Sequence, residues 1–93
     1  MTFEWNNNKN LTNQKKHKVS FERATGVWKD PKRIVFYDES HSVDEERWIV
    51  IGFSGTVLFV VFTEKNEETV RIISARKANN EESERYYRDY DIR

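Results

Sequence analysis

Arg47-Trp48-Ile49-Val50-Ile51-Gly52-Phe53, then Ser54-Gly55, then Thr56-Val57-Leu58-Phe59-Val60-Val61-Phe62-Thr63, is the stretch whose reading decides the fold. Two runs rich in β-branched and aromatic residues flank a Ser-Gly pair, which is the chemistry of a tight hairpin turn. A third run of the same kind, Thr69 to Ala75, follows the short polar segment Glu64 to Glu68. Three such runs with short turns predict an antiparallel meander. Val57 to Phe62 is apolar at every position, the pattern of a strand covered on both faces.

Upstream, Arg33–Tyr37 reads as another strand and Asp38 to Glu45 as an acidic turn. Ser20 is placed to cap a helix whose Phe21, Ala24 and Trp28 fall at i, i+3 and i+7. Asp30-Pro31 stops it, because the residue before proline is pushed out of the α region. Asn6 to Lys18 holds a single aliphatic residue, Leu11. It reads either as a helix capped by Asn6 or as an exposed loop. Thr2–Trp5 alternates polar and aromatic residues and suits a short strand. Downstream, Asn79 or Asn80 can cap a last helix, with Glu81 and Glu82 in its first turn and Tyr86 and Tyr90 as i, i+4 partners. The expected order is β-α-α-β-β-β-β-α. That is an α+β fold, a single domain over residues 1–93, with two N-terminal helices and one C-terminal helix packed on an antiparallel sheet.

The chain has 93 residues and a mass of 11.2 kDa, too small for two independent cores. Charged residues make up 34% and mean hydropathy is −0.91, but six Phe, four Tyr and three Trp supply a core. No cysteine is present, which removes disulfides, thiolate metal sites and thiol catalysis. The first residues, Met-Thr-Phe-Glu-Trp, have neither the basic nor the apolar region of a signal peptide. No apolar run approaches the ~20 residues that span a bilayer, so the cytoplasm is the expected location. Net charge is zero, yet residues 1–37 are basic and residues 38–68 acidic. That split suits a dipolar surface and argues against strong nonspecific nucleic-acid binding.

Several short segments stand out. Phe3-Glu4-Trp5 opens the chain, and Lys16-His17 precedes Val19-Ser20-Phe21-Glu22. Glu45-Glu46-Arg47-Trp48 leads into Ile51-Gly52 and then Phe62-Thr63-Glu64; Arg71-Ile72-Ile73-Ser74-Ala75-Arg76 follows, with Glu82 and Tyr86 beyond. From about residue 3 to residue 87 this series resembles the BrnT family of toxins from bacterial type II toxin–antitoxin systems. The resemblance implies a RelE-like fold, a ribonuclease that stops translation, and a cognate BrnA-like antitoxin. That antitoxin would bind the operator DNA and form a 2:2 complex with the toxin. Asn6-Asn7 and Lys18 stand where family members often carry Asp-Pro and Gly. If the backbone at Lys18 needs a positive φ, lysine there costs about 1 kcal/mol relative to glycine.

RNA cleavage without a metal needs an aligned 2′-hydroxyl, a proton acceptor, cations at the phosphorane and a proton donor for the 5′-oxygen. Arginine suits the phosphorane through its planar, permanently charged fork. Arg47, Arg71 and Arg76 are the candidates, with Arg76 first because it is expected at a strand-to-helix junction. Strand alternation puts Arg71 and Arg76 on opposite faces unless the strand ends or bulges near Ala75. Arg71 equally reads as a surface arginine paired with a cross-strand glutamate. His17 is the candidate for proton transfer, since imidazole serves as acid or base near neutrality; it could instead interact with helix-end carbonyls. His41, in the acidic turn, reads as solvent-facing. Glu45 and Glu46 could act as a base or orient Arg47, or simply form a solvated turn; Tyr86 could stack on an RNA base or donate its hydroxyl to a phosphate, or pack in the core as helix-face aromatics usually do; Lys16 could contact RNA. Trp5, Trp28 and Trp48 read as packing residues. No metal-ligand spacing and no glycine-rich phosphate loop are present, so neither metal nor cofactor is expected. The other reading is an inactive binding module that acts as co-repressor with a DNA-binding partner.

Overall fold

Alternating β-branched residues and three side-chain caps set the local structure. The computed structural model describes residues 1–88. Its elements are β1 (Thr2–Glu4), α1 (Asn7–His17), α2 (Phe21–Ala24), β2 (Ile34–Tyr37), β3 (Trp48–Ser54), β4 (Thr56–Glu64), β5 (Thr69–Lys77) and α3 (Asn80–Arg88). A 3₁₀ turn, Thr25–Lys29, continues α2, and another, Glu39–His41, follows β2. Tyr90, the expected partner of Tyr86, lies outside the described residues.

Both N-caps form as the sequence implies. Asn6 Oδ1 accepts from the Lys9 amide at 3.0 Å, and Ser20 Oγ from the Arg23 amide at 3.0 Å. Helix α3 begins with a reciprocal capping box: Asn79 Oδ1 accepts from the Glu82 amide, and Glu82 Oε1 from the Asn79 amide, each at 2.9 Å. Lys18 ends α1 in the left-handed region at φ 62°, donating its N–H to Gln14 O.

The five strands form one sheet in the order β1-β5-β4-β3-β2. The β2–β3, β3–β4 and β4–β5 pairs are antiparallel, as expected, but β1 runs parallel to β5, with Phe3 opposite Val70. The expectation of a wholly antiparallel sheet is corrected to a mixed one. Periodicity reports which face a residue takes, not which way a distant strand runs.

One face of the sheet is closed. Phe21, Ala24 and Val27 pack with Val50, Leu58, Val60, Val70 and Ile72, and Trp5, Trp28 and Trp48 border this core. On the other face, α3 lays Tyr86 over Ile49, Ile51 and Val57, leaving Phe59 and Val61 only partly buried. Val57 to Phe62 is therefore covered fully on one side and partly on the other, short of the double cover its uniform apolarity implies.

Helix α1 is held by amides rather than by aliphatics. Leu11 is 59% exposed, whereas Asn10 and Asn13 are buried. Strand β1 pairs with β5 only as far as Arg71, so the outer edge of β5 is unpaired beyond it. Asn13 caps that edge: its Nδ2 donates to Ala75 O at 2.7 Å and its Oδ1 accepts from Ala75 N at 3.2 Å. Asn10 Oδ1 accepts from the Phe21 amide, and its Nδ2 donates to Glu22 at 2.8 Å. The Asn10 amide, helped by Glu22's own backbone N–H, holds the Glu22 carboxyl below its ordinary range.

Candidate active site

Strand β5 decides where the arginines point. Val61 pairs with Ser74 and Phe62 with Ile72, so Ile73 is an extra residue in β5. A bulge of this kind shifts the alternation by one. Val70, Ile72 and Ala75 consequently share the closed face, while Arg71 and Arg76 stand opposite Thr63 and Phe59 on the other. The condition for the two arginines to share a face is met by a bulge two residues before Ala75.

Arg76 lies inside β5, one residue from its end, not at the junction with α3. Its guanidinium sits 4.0 Å from the centroid of Phe59 and is gripped by Glu82 through Nη1 at 2.7 Å and Nη2 at 2.9 Å. Nη1 also donates to Lys77 O, which leaves the Nε–H and one Nη2–H for other acceptors. Burial opposes ionisation of Glu82, but the hydrogen bonds from Arg76 and the Asn79 amide, with the charge of Arg76, outweigh it and hold the carboxyl below its usual range.

Arg47 immediately precedes β3, where Trp48 pairs with Phe62 and the Thr63 hydroxyl donates to Glu46 O. Among the described residues its Nε is buried without a hydrogen-bond partner, the nearest carboxylate oxygen being Glu45 Oε1 at 3.9 Å. A buried guanidinium N–H lacking an acceptor carries an uncompensated desolvation penalty. Arg47 and Arg76 line one cleft of about 340 Å³ with Asp38, His41 and Ser74, over a floor of Ile49, Phe59, Val61 and Ile73. Strand spacings put their backbones on the order of 16 Å apart, so the two arginines stand at opposite ends of that floor.

Lys16 and His17 line a second groove at the end of α1, and Ile73 and Ser74 belong to both grooves. The bulge is thus the common wall between the basic end of α1 and the arginine cleft. Arg71 is on the same sheet face but does not line the cleft. It donates to Glu4 on the neighbouring strand at 2.8 Å, the cross-strand pair that the sequence allowed.

Two candidate residues are corrected. Tyr86 is 2% exposed and donates its hydroxyl to Asp30 Oδ2 at 2.6 Å, so its ring packs in the core and is not free to stack on RNA. Glu46 is exposed and lines neither groove; Glu45 is the carboxylate nearest Arg47. His41 is solvent-facing as the sequence implies, its side chain 69% exposed, and together with the buried Asp38 it also borders the cleft. The signal was the Asp-x-x-His spacing, which brings both side chains together when the turn is helical; that turn is the 3₁₀ segment Glu39–His41. The three tryptophans pack at the core border as expected, Trp28 edge-on to Phe3 and Phe62. No group of three or more His, Asp or Glu among the described residues is placed to hold a metal ion. No helix among them is long and apolar enough to cross a membrane.

Fold and cleft define a small α+β protein with one half-open sheet face, an apolar floor that carries Arg47 and Arg76 at its rim. A family model described as the ribonuclease toxin BrnT of type II toxin–antitoxin systems matches residues 5–82, and the chain belongs to that family. The fold is similar to the 1.1 Å crystal structure of the Brucella abortus ribonuclease toxin BrnT. The two share 24% sequence identity with a TM-score of 0.68, over 86% of this chain and 99% of that one. No curated protein matches the chain.

Proposed function

We propose that this chain is a metal-independent endoribonuclease with a RelE-like fold that stops translation, neutralised in the cytoplasm by a BrnA-like antitoxin in a 2:2 complex. The carrying observation is the Ile73 bulge, which turns Arg76 onto the half-open face where Arg47 already stands. Family membership supports the ribonuclease class. The scissile phosphate sits over Phe59 and Val61, between the free N–H groups of Arg76 and the guanidinium of Arg47. Charge that builds on the phosphorane is then met by donors already in place, which is where most of the rate arises. Glu82 fixes the plane of the Arg76 fork before RNA arrives, which lowers the ordering cost of binding. Lys16 and His17 line the adjoining groove and follow the RNA beyond the Ile73–Ser74 wall. Arg71 extends the positive edge and acts at longer range. The antitoxin covers the cleft and carries the operator-binding function.

Purified protein incubated with RNA in excess EDTA, alone and with ribosomes, tests the reading. Cleavage is expected to persist in EDTA, to be lost with Arg76→Ala and to stop when the antitoxin is added. In cells, induction is expected to halt growth, and Arg76→Ala to relieve the arrest while the far-ultraviolet spectrum stays native. Intact RNA under every condition, with operator binding in the presence of the partner, would establish the co-repressor reading instead.

A further inference from the structure

We infer that His41, held by Asp38, is the base that takes the 2′-hydroxyl proton, an assignment that rests on the ribonuclease reading above. His41 Nδ1 lies 3.2 Å from both Asp38 oxygens. Asp38 is buried at 9% exposure, whereas the His41 side chain is 69% exposed. One end of the ring is anchored against a fixed carboxylate, and the other end, Nε2, has no partner among the described residues. With Asp38 accepting as a carboxylate, Nδ1 carries the hydrogen and Nε2 presents its lone pair, the orientation a histidine base requires.

The same turn sets Arg47. The Asp38 amide donates to Arg47 O at 2.9 Å. Ser42 Oγ donates to Asp38 O at 2.6 Å and accepts from the Arg47 amide at 2.9 Å. Residues 38 and 47 are therefore clamped across the neck of one loop, so the base and a phosphate-binding arginine are positioned as a unit. His17 has neither an orienting carboxylate nor a place in this cleft; it lines the groove on the far side of Ile73 and Ser74.

In the step, Nε2 takes the proton from O2′ as O2′ forms its bond to phosphorus. The bond from phosphorus to O5′ breaks, and its electron pair leaves with O5′, which takes a proton from solvent water. The imidazolium returns its proton to the hydroxide so formed, leaving a 2′,3′-cyclic phosphate and a 5′-hydroxyl. His41 is the catalytic residue in this step, and Asp38 is a positioning residue.

The test is full-length protein on an oligoribonucleotide, with affinity measured separately on its 2′-O-methyl analogue, which binds but cannot react. His41→Ala is expected to lower kcat about 10²- to 10³-fold, to leave affinity for the analogue within about threefold, and to recover part of its rate when free imidazole is added. Asp38→Asn reverses the tautomer preference, so a loss in kcat with little change in KM is expected. If Asp38→Asn unfolds the loop, His41→Gln and its lack of imidazole rescue stand in for it. Wild-type rates in His41→Ala, or affinity lost in step with rate, would overturn the assignment while leaving the ribonuclease reading intact. A wild-type protein that cleaves no RNA would overturn both.

Discussion

The two faces of the sheet are built from the same strands and do opposite things. The face under α2 and the 3₁₀ turn is dry: Phe21, Val27, Val50, Leu58 and Val60 are each fully buried. The face under α3 is finished only at one end, where Tyr86 covers Ile51 and Val57. Its other end is an apolar floor with cations at the rim. Alternation along β4 sends Leu58, Val60 and Phe62 to the first face and Phe59 and Val61 to the second. Stability is concentrated on one side and the arginine rim stands on the other, so the two can be perturbed separately.

The largest expected effect falls on the closed face. Phe21→Ala removes a ring that is 0% exposed, for a loss of about 3–5 kcal/mol out of the ~5–15 kcal/mol of a typical small domain. Urea unfolding would show the midpoint collapse, and retention of the wild-type midpoint would break the contrast between the faces. The open face should behave in reverse. Arg47→Ala is expected to lower RNA cleavage about 10²- to 10³-fold while shifting the urea midpoint little, because the side chain has one carboxylate neighbour, at 3.9 Å.

Next comes the amide at the sheet edge. Asn13→Ala strips Ala75 of both edge hydrogen bonds and Val19 O of its donor. A loss of roughly 2–3 kcal/mol is expected, with faster hydrogen exchange at the Ala75 amide as the local signature. A smaller effect appears on the acid side. The carboxyl of Glu82 is depressed in the folded protein, so its contribution is fully present above 4.5, its reference value, and is lost as pH falls through the lower folded value. Glu82→Gln should therefore flatten the fall of Tm below about pH 4.5, and an unchanged acid slope would place the responsible carboxylate elsewhere. The smallest change sits at Lys18, whose φ of 62° suits glycine. Lys18→Gly is expected to stabilise by about 1 kcal/mol or less, read as a small rise in Tm.

Much of the fold was legible because its signals are local. Ser54-Gly55 does turn the β3–β4 hairpin, with Gly55 at φ 78°, and Asn6 and Ser20 do cap their helices. What escaped depends on distant partners. Asn10 and Asn13 look like surface residues beside Leu11, yet the unpaired edge of β5 rewards an amide and gives an aliphatic nothing to bind. The Ile73 bulge adds one residue to an unbroken β-rich run, so no composition marks it, although it decides which face Arg76 takes. Tyr86 and Tyr90 suggested an aromatic stripe, but Asp30 lies 56 positions away in sequence and draws the Tyr86 hydroxyl inward. His41 reads from the sequence as solvent-facing and is so, while its hydrogen bond to Asp38, three residues away, is a local feature that the Asp-x-x-His spacing carries.

The central claim, that RNA meets the arginines of the half-open face, is tested most directly by following guanidinium Nε–H signals in nuclear magnetic resonance spectra. The titrant is a 2′-O-methyl oligoribonucleotide, which is not cleaved. The account predicts saturable shifts at Arg47 and Arg76, with the signals of Arg23, beside the β3–β4 turn, unmoved. Shifts confined to Arg23, or no shift at Arg47 and Arg76 under saturating RNA, would contradict it.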